Sequence, residues 1–432
     1  MTDAASRLCR LAEQLLGVPL PVRVRAWDGS QAGPPDAPVL VLRNRRALRR
    51  MMFKPGELGL ARAWVSGDLD IEGDLYTLLD AISGLVWERG EDTRGLVQAL
   101  RDPDVRSAVP ELLKLTGPPV PPAPPREEVR RRRHLHTRHS DKRAISHHYD
   151  VGNDFYEIVL GPSMVYSCAY WGAVENGDTL ESAQRDKLEL ICRKLGLTPG
   201  QRLLDVGCGW GSLAIHAARE HGATVVGVTL SQEQAGYARK RVADEGLTDR
   251  VEIRVQDYRD VADGPYDAIA SVGMAEHVGA ERYLAYASDL HALLGPGGRL
   301  LNHQIARRPQ RDESSYRVDE FIDAYVFPDG ELAPLGTTVT QLERAGFEVR
   351  DVESLREHYA RTLRQWVANL EGDWDRVVRL TSPGRARVWR VYMAACALAF
   401  ERNRLGVNQV LAVRAPASGA SGLPLRPRTW NG

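Results

Sequence analysis

Residues 203–211, Leu-Leu-Asp-Val-Gly-Cys-Gly-Trp-Gly, decide the fold of this 432-residue chain. The apolar run Leu203–Val206 predicts a buried parallel strand, because a strand covered on both faces needs no polar alternation. The glycines at 207, 209 and 211 allow a sharp turn and let a ligand approach the backbone where a Cβ would clash. A helical pattern follows directly, and its N-terminal amides would face that ligand. The stretch predicts a nucleotide-type pocket at the carboxyl end of a first strand.

The spacing of the loop narrows the choice of ligand. G-x-G-x-G differs from the G-x-G-x-x-G of dinucleotide-binding loops. After the second strand, Thr229-Leu230-Ser231 stands where an NAD site usually presents an acidic residue to the ribose. We therefore expect S-adenosylmethionine rather than NAD or FAD, and a purely structural turn is the remaining alternative. The candidate cofactor residues in these segments are Asp205, Gly207, Gly209, Gly211, Thr229, Leu230, Ser231, Gln234, Gln256, Asp257 and Tyr258.

From residue 201 onward, strand and helix patterns alternate, which predicts an α/β doubly wound, Rossmann-like sheet with helices on both faces. Residues 295–298, Gly-Pro-Gly-Gly, predict a turn before a strand at 299–305. Further strands are predicted at 224–228, 251–255, 266–271, 347–352 and 409–413, and helices at 212–220, 232–244, 285–294, 359–370 and 385–402.

Seven motifs follow one another along the last two-thirds of the chain: His147–Tyr156, Tyr166–Trp171, Leu204–Gly211, Gly273–Gly279, Tyr325–Gly330, His358–Ala360 and Gly406–Val413. In this order they resemble the cyclopropane-fatty-acyl-phospholipid synthase and fatty-acyl C-methyltransferase family, which includes the mycolic-acid cyclopropane synthases. The resemblance implies a class I S-adenosylmethionine-dependent methyltransferase that acts on the cis double bond of an unsaturated acyl chain, expected to be oleoyl, in membrane phospholipid.

The resemblance also implies roles for individual residues. Tyr166 and Ser167 would bind the methionine part of the cofactor, and Tyr149, in a lid helix expected over 144–160, would lie near the sulfonium. A bound bicarbonate ion would deprotonate a carbocation, and loss of that proton from the new methyl group would close a cyclopropane ring. The positions matching the family's bicarbonate site are Cys168, Glu276, His303, Ile305 and Tyr359.

Two positions depart from the commoner family pattern and leave the product open. Ala275 stands where an aromatic residue is usual, and Gln304 stands where a small polar residue is usual. The extra space beside the cation allows proton loss after a hydride shift, which would give a 10-methylene chain that a partner reductase converts to a methyl branch. A methyltransferase of small soluble molecules and a non-catalytic lipid- or cofactor-binding module are less favoured alternatives.

The proline run 118–125 predicts an extended linker between two domains. Residues 1–117 predict a small α+β domain, and the family resemblance implies a role for it in docking to lipid or a partner. We place the methyltransferase domain at 144–414, with an acyl-pocket cap at 315–336 and a disordered tail at 415–432. Elements predicted in the first domain are helices at 4–16, 46–53, 57–65 and 75–86 and strands at 22–27 and 39–42.

Charge and cysteine content indicate which partners and which cellular compartment the chain is expected to have. Lys and Arg number 57, equal to Asp and Glu at 57, so net charge suggests no nucleic-acid partner. The basic block 130–143 favours an anionic membrane surface instead. We expect a cytoplasmic protein, peripheral on the inner face of the cell membrane, because no segment predicts a membrane span or a signal peptide. Five unclustered cysteines predict no disulfide and no metal site. A homodimer is left open.

Overall fold

The structure is a computed structural model, and it describes residues 3–87, 103–117, 120–129, 151–173, 177–328 and 330–425. Spatial contacts divide the chain into two units. The first contains residues 1–131, 319–326 and 382–398, and the second contains 132–318, 327–381 and 399–432. The sequence placed 319–326 and 382–398 in the methyltransferase domain, whereas contacts group them with the N-terminal residues.

The first unit contains a four-stranded sheet in the order β2-β1-β3-β4. Its core includes Ala5 and Leu8 from the first helix and Val24 and Leu42 from the sheet, all nearly inaccessible to solvent. The predicted α+β character is confirmed. The strands are β1 (Arg23–Arg25), β2 (Gln31–Ala32), β3 (Val39–Leu42) and β4 (Leu69–Glu72), and the helices are α1 (Ala4–Leu16), α2 (Arg46–Phe53), α3 (Glu57–Val65), α4 (Leu75–Trp87) and α5 (Pro103–Thr116).

The second unit is built on a seven-stranded sheet in the order β10-β11-β9-β8-β5-β6-β7. Strands β5 to β9 pair in parallel, and β11 pairs antiparallel with β9 and β10. Two separate buried clusters of apolar side chains contain residues of the sheet. The strands are β5 (Arg202–Val206), β6 (Thr224–Thr229), β7 (Val251–Val255), β8 (Tyr266–Val272), β9 (Leu294–Arg307), β10 (Glu348–Ser354) and β11 (Leu405–Val413).

Helices alternate with these strands, as the doubly wound prediction requires. None of the helices in the described ranges is long and apolar enough to cross a membrane. The remaining helices are α6 (Asn153–Leu160), α7 (Leu180–Leu195), α8 (Ser212–His221), α9 (Gln232–Asp244), α10 (Tyr283–Leu293), α11 (Glu320–Tyr325), α12 (Leu335–Arg344), α13 (Arg356–Gly372), α14 (Trp374–Leu380) and α15 (Pro383–Glu401).

Three segments differ from the prediction. The helix expected from residue 144 begins at Asn153 in the described part of the chain, because Gly152 has φ +95°, outside the helical region. No turn interrupts β9 at 295–298; a register shift against β8 absorbs the additional residues. The structure describes the tail predicted to be disordered as far as residue 425, and the carbonyl of Gly422 accepts a hydrogen bond of 3.0 Å from Arg299.

Candidate active site

The glycine loop follows β5 and leads into α8. Gly207, Gly209 and Gly211 all have positive φ, at 79°, 54° and 80°. The amides of Gly207 and Cys208 donate to the carbonyl of Val228 at the end of β6, at 2.9 and 3.0 Å. A Cβ on Gly209 would meet no atom within 4 Å, so this side of the loop faces open space. The loop therefore provides a cradle that a ligand can approach closely.

A cleft opens beside this loop, and most of the predicted cofactor residues line it. The exceptions have structural roles. A Cβ on Gly211 would lie 3.1 Å from the Ala238 Cβ, and Ser231 caps α9 by accepting the Gln234 amide at 3.2 Å. The predicted residues that line the cleft are Tyr166, Ser167, Asp205, Gly207, Gly209, Thr229, Leu230, Gln234, Gln256, Asp257 and Tyr258.

Polar side chains at the strand ends are already positioned by one another. The Thr229 hydroxyl donates to Gln234 Oε1 at 3.0 Å. Arg259 binds the Asp257 carboxylate through two guanidinium nitrogens, at 2.8 and 2.6 Å. These contacts fix the orientation of polar side chains that line the cleft.

The floor of the cleft holds a buried acid and a buried amine. Asp205 is 2% exposed, and its Oδ2 atom has no hydrogen-bond partner among the described residues. Burial raises its pKa to about 7, and the nearby Lys187 opposes that rise. Lys187 is 1% exposed and donates to the Ser167 hydroxyl at 2.9 Å. The unsatisfied oxygen of Asp205 beside an open glycine loop fits a ligand that brings its own donors.

Glu276 and Ile305, two members of the predicted bicarbonate set, are in direct contact. The Ile305 amide donates to Glu276 Oε1 at 2.8 Å. Glu276 Oε2 is buried and has no partner among the described residues, although the residue as a whole keeps some exposure. Burial raises the pKa of this carboxyl to about 7. The second oxygen is thus available to accept a hydrogen bond.

His303 lies two residues before Ile305 on β9, so both side chains leave the same face of the strand. It is 2% exposed, and its Nε2 atom has no partner in the described part of the chain. Burial, reinforced by the charges of Lys187 and Lys194, lowers its pKa to about 3, so the imidazole is neutral. The amide of Gly273 donates to its carbonyl at 2.9 Å, which links His303 to the end of β8.

The Cys168 thiol and the Tyr359 backbone amide share one backbone acceptor. The buried Cys168 thiol and the amide of Tyr359 both lie within hydrogen-bonding distance of the Leu355 carbonyl, at 3.6 and 3.1 Å. The Leu355 amide donates to Val407, which pairs with Ile305 across β11 and β9. Backbone contacts therefore link the chain segments that carry Cys168, Tyr359 and Ile305, and Ile305 in turn contacts Glu276.

A chain of aromatic rings leads from the glycine loop to Tyr359. Consecutive ring centroids are 4.8 Å apart for Trp210 and Tyr156, 5.7 Å for Tyr156 and Tyr166, and 5.3 Å for Tyr166 and Trp366. Trp366 then lies 6.0 Å from Tyr359. These rings provide apolar surface and electron-rich faces that stabilise positive charge beside the cleft.

The two positions that depart from the family pattern lie next to Glu276. Ala275, Glu276, Gln304 and Ile305 line a small cavity. Gln304 is buried and accepts from Tyr283 and Asn302 at 2.6 and 2.7 Å, and it donates to Thr338 at 2.7 Å. Gln304 thus organises a buried polar network at the cavity that Ala275 also lines.

The sequence missed several residues that line the cleft. Lys187 comes from α7, which carries no recognisable motif, and only its burial in the folded chain makes it notable. His277 follows Glu276 directly, and burial lowers its pKa to about 4. Tyr149 and the basic block lie outside the described residues. The other missed residues that face the cleft include Arg259, Met274 and Arg282.

Comparisons with known proteins bear on this site. A sequence profile described as "Mycolic acid cyclopropane synthetase" matches residues 136–410. A "Probable fatty acid methyltransferase" of Mycobacterium tuberculosis is 45% identical over 94% of each chain. The "Tuberculostearic acid methyltransferase UfaA1" of that organism is 33% identical over 91% of this chain and 88% of its own. The crystal structure of mycolic acid cyclopropane synthase CmaA1 with SAH and CTAB aligns with a TM-score of 0.59 at 33% identity, covering 63% of this chain and 98% of that one. The likeness confirms the predicted class I methyltransferase fold.

Proposed function

This chain belongs to the mycolic acid cyclopropane synthetase family of S-adenosylmethionine-dependent methyltransferases, and we propose that it methylates the cis double bond of an unsaturated acyl chain in membrane phospholipid. One observation carries the proposal. Two buried polar atoms, Glu276 Oε2 and His303 Nε2, have no hydrogen-bond partner among the residues that the structure describes. Buried polar atoms normally have partners, so a small ligand is expected there.

The glycine loop and Asp205 fit the cofactor. The Gly207–Gly211 backbone offers close approach, and Asp205 Oδ2 offers an acceptor. When bound, S-adenosylmethionine supplies an electrophilic methyl group. Tyr166 and Ser167 line the cleft where its methionine part would lie, and Lys187 holds the Ser167 hydroxyl in place.

The Glu276 and His303 pair fits bicarbonate, which would supply the base. Glu276 Oε2 can accept the ion's own O–H, and the neutral imidazole of His303 can donate to a charged oxygen. Accepting that hydrogen bond would orient the ion and raise its basicity. The Ile305 amide holds the Glu276 carboxylate through its other oxygen. We expect Cys168 and Tyr359 to contact the same ion, and the Leu355 carbonyl accepts from both the Cys168 thiol and the Tyr359 amide.

The aromatic chain and the buried floor would exclude water from the reacting carbons. Methyl addition to an alkene leaves a carbocation on the acyl chain, and any nearby water would capture it. Trp366 is fully buried and lies between Tyr166 and Tyr359. Aromatic faces stabilise such a cation without reacting with it.

Loss of a proton from the added methyl group gives the cyclopropane ring that the sequence favours. A methylene branch is the second candidate product, and two observations support it. The two fatty acid methyltransferases, one of them a tuberculostearic acid enzyme, match nearly the whole chain, whereas the cyclopropane synthase structure covers only 63% of it. In addition, Ala275 and Glu276 line the same small cavity.

The proposal is tested by incubating the full chain with S-adenosylmethionine, bicarbonate and vesicles of dioleoyl phospholipid. Released fatty acids are separated against authentic ring and methylene standards and identified by proton NMR. Upfield ring protons would support cyclopropane formation, and vinylidene protons would support the methylene product. If the protein binds S-adenosylmethionine but yields no methylated acyl chain, the proposed substrate class is wrong.

A further inference from the structure

Cys192, His216 and His221 come together outside the cleft. Each offers one metal-ligating atom, and these atoms all lie within 4.8 Å of one another. None of the three lines the cleft described above. Cys192 is on α7, and the two histidines are on α8, the helix that starts directly after the glycine loop. The cluster thus joins two neighbouring helices.

The cluster already has the supporting contacts of a metal site. Glu189 Oε2 lies 3.1 Å from His216 Nε2 and 2.9 Å from His221 Nε2, and its other oxygen accepts from Arg193 at 2.6 Å. Glu189 and Cys192 are three residues apart on α7, so they share a face of that helix. Metal-binding histidines commonly donate to a carboxylate that fixes the ring orientation.

The chemistry of the three ligating side chains indicates which metal ion they would bind. A thiolate with two imidazoles suits Zn²⁺ and similar ions and is unsuited to Mg²⁺ or Ca²⁺. Tetrahedral zinc places its ligand atoms about 3.5 Å apart, so the side chains need to close by about 1 Å. Four residues separate the two histidines, which is a usual spacing in zinc modules.

The solvent exposure and the charge of this cluster also fit a metal site. Cys192 is fully buried and His216 is 5% exposed, whereas the side chains of His221 and Glu189 are 16% and 29% exposed. The exposed side provides an entry path and room for a water molecule in the fourth position. A divalent cation would be balanced in part by the thiolate that forms when it displaces the Cys192 proton, while Glu189 stays paired with Arg193.

We propose that Cys192, His216 and His221 bind one zinc ion, with Glu189 orienting the histidines, and that the ion clamps α7 to α8. Binding displaces the thiol proton of Cys192 to solvent, and no oxidation is involved. Because α8 is continuous with the glycine loop and α7 carries Lys187, the bound ion stabilises the helices behind the cofactor cleft. The sequence analysis expected no metal, since no C-x-x-C pair is present and the three residues meet only in the fold.

The test uses the full chain after chelation and dialysis, with Co²⁺ and Zn²⁺ as probes. Wild type should bind one equivalent of Co²⁺ with a thiolate charge-transfer band and the intense visible bands of tetrahedral cobalt, and Zn²⁺ should displace it. Saturating Zn²⁺ should raise Tm by about 5 °C, because the ion binds only the folded state. Absence of a thiolate band in wild type would overturn the proposal without any variant.

Variants assign the ligands. Cys192→Ser should abolish the charge-transfer band, and His221→Gln, at the partly exposed ligand, should weaken Zn²⁺ binding by more than about 100-fold. Glu189→Gln should weaken it by about 10-fold. Cys9→Ser and His291→Gln are controls away from the cluster and should bind as wild type does. Equal Zn²⁺ affinity in wild type and His221→Gln would refute the site, and this result is independent of lipid methylation.

Discussion

Glu276 combines a buried oxygen with a carboxyl that titrates near neutrality. Its Oε1 is held by the Ile305 amide, while burial raises its pKa to about 7. If Oε2 carried a proton, it would donate a hydrogen bond and could not accept one from the O–H of bicarbonate. The ionised form is therefore the active one in the proposed mechanism.

We expect Glu276→Gln to bind S-adenosylmethionine normally and to lose at least about 100-fold in kcat, because the amide is a poorer acceptor for the ion. In wild type, kcat should rise with pH through about 7, as Glu276 ionises. The measurements are cofactor affinity by calorimetry and methylated acyl product at several pH values. Glu281→Gln, at an exposed carboxyl, is the control. Unchanged turnover in Glu276→Gln would remove this residue from the mechanism.

Asp205 makes stability depend on pH. Its pKa is raised from 3.8 to about 7 by burial, so the folded state favours the protonated form. This contribution to stability is complete below about pH 4 and is lost as pH rises through about 7. Asp205→Asn stays neutral, so its free energy of unfolding relative to wild type should increase from pH 4 to pH 8 by up to about 4 kcal/mol. Urea denaturation at several pH values checks this, and a constant difference would contradict it.

At the scale of elements, the strand-loop-helix unit around β5 was predictable from sequence. Its strand, three glycines and helix form a local pattern, and the predicted ends agree with β5 and α8 to within one residue. The cofactor residues at the ends of β6 and β7 followed from the same parallel arrangement. Gly211 and Ser231 were assigned to the ligand because the pattern cannot separate a loop that packs on α9 from one that lines the cleft.

Other elements could not be predicted because tertiary contacts define them. Helix α7 carries Lys187 and Cys192, but its importance comes from burial against α8 and β9. Strand β9 continues through Gly295–Gly298, where its pairing with β8 shifts register and the Gly297 amide donates to the Arg414 carbonyl at 2.7 Å. The contacts that join Cys168 to Tyr359 pass through a backbone carbonyl, which no side-chain motif reveals.

The open side of Gly209 gives a prediction for the loop as an element. Gly209→Ala introduces a Cβ at φ +54°, which strains the backbone by about 1 kcal/mol and projects into the space reserved for the ligand. Gly200→Ala is a matched control, since Gly200 has φ +85° and equally open surroundings but does not line the cleft. We expect both variants to lose similar stability and only Gly209→Ala to bind S-adenosylmethionine more weakly, by about 10-fold. Equal cofactor affinity in the two variants would argue against close approach at Gly209.

At the scale of the whole molecule, Arg387 shows how α15 belongs to the first unit. It donates to the carbonyls of Trp64 and Leu69 at 2.7 and 2.6 Å and pairs with Asp70 at 3.3 Å. Its guanidinium lies 4.0 Å from the centre of the Trp64 ring. These contacts explain why residues 382–398 group with the N-terminal residues rather than with the methyltransferase unit.

Arg387→Met should destabilise the first unit by about 3 kcal/mol, because it leaves Asp70 and two carbonyls without this partner. Arg10→Met, at an exposed position on α1, should have little effect. Urea unfolding of the full chain, followed by tryptophan fluorescence, measures the difference. A midpoint unchanged from wild type would mean that these contacts contribute nothing to stability.

The basic block gives a second prediction at this scale, based on charge alone. Replacing Arg130–Arg133 by glutamine should weaken binding to anionic vesicles by at least about 100-fold at low salt, at about 1 kcal/mol for each arginine. The loss should shrink as salt screens the charges. Co-sedimentation with anionic and with zwitterionic vesicles measures it. Equal binding of wild type and variant to anionic vesicles would exclude a headgroup role for this segment.

The chain passes back and forth between the two units, and this limits which recombined versions of the gene can give a folded protein. Residues 319–326 and 382–398 return to the N-terminal unit from the middle of the methyltransferase sequence. A recombination event that exchanged only the first third of the gene would separate Trp64 from Arg387 and leave both without their partners. We therefore expect a working chimera to need three matched segments, 1–131, 319–326 and 382–398, taken from the same parent.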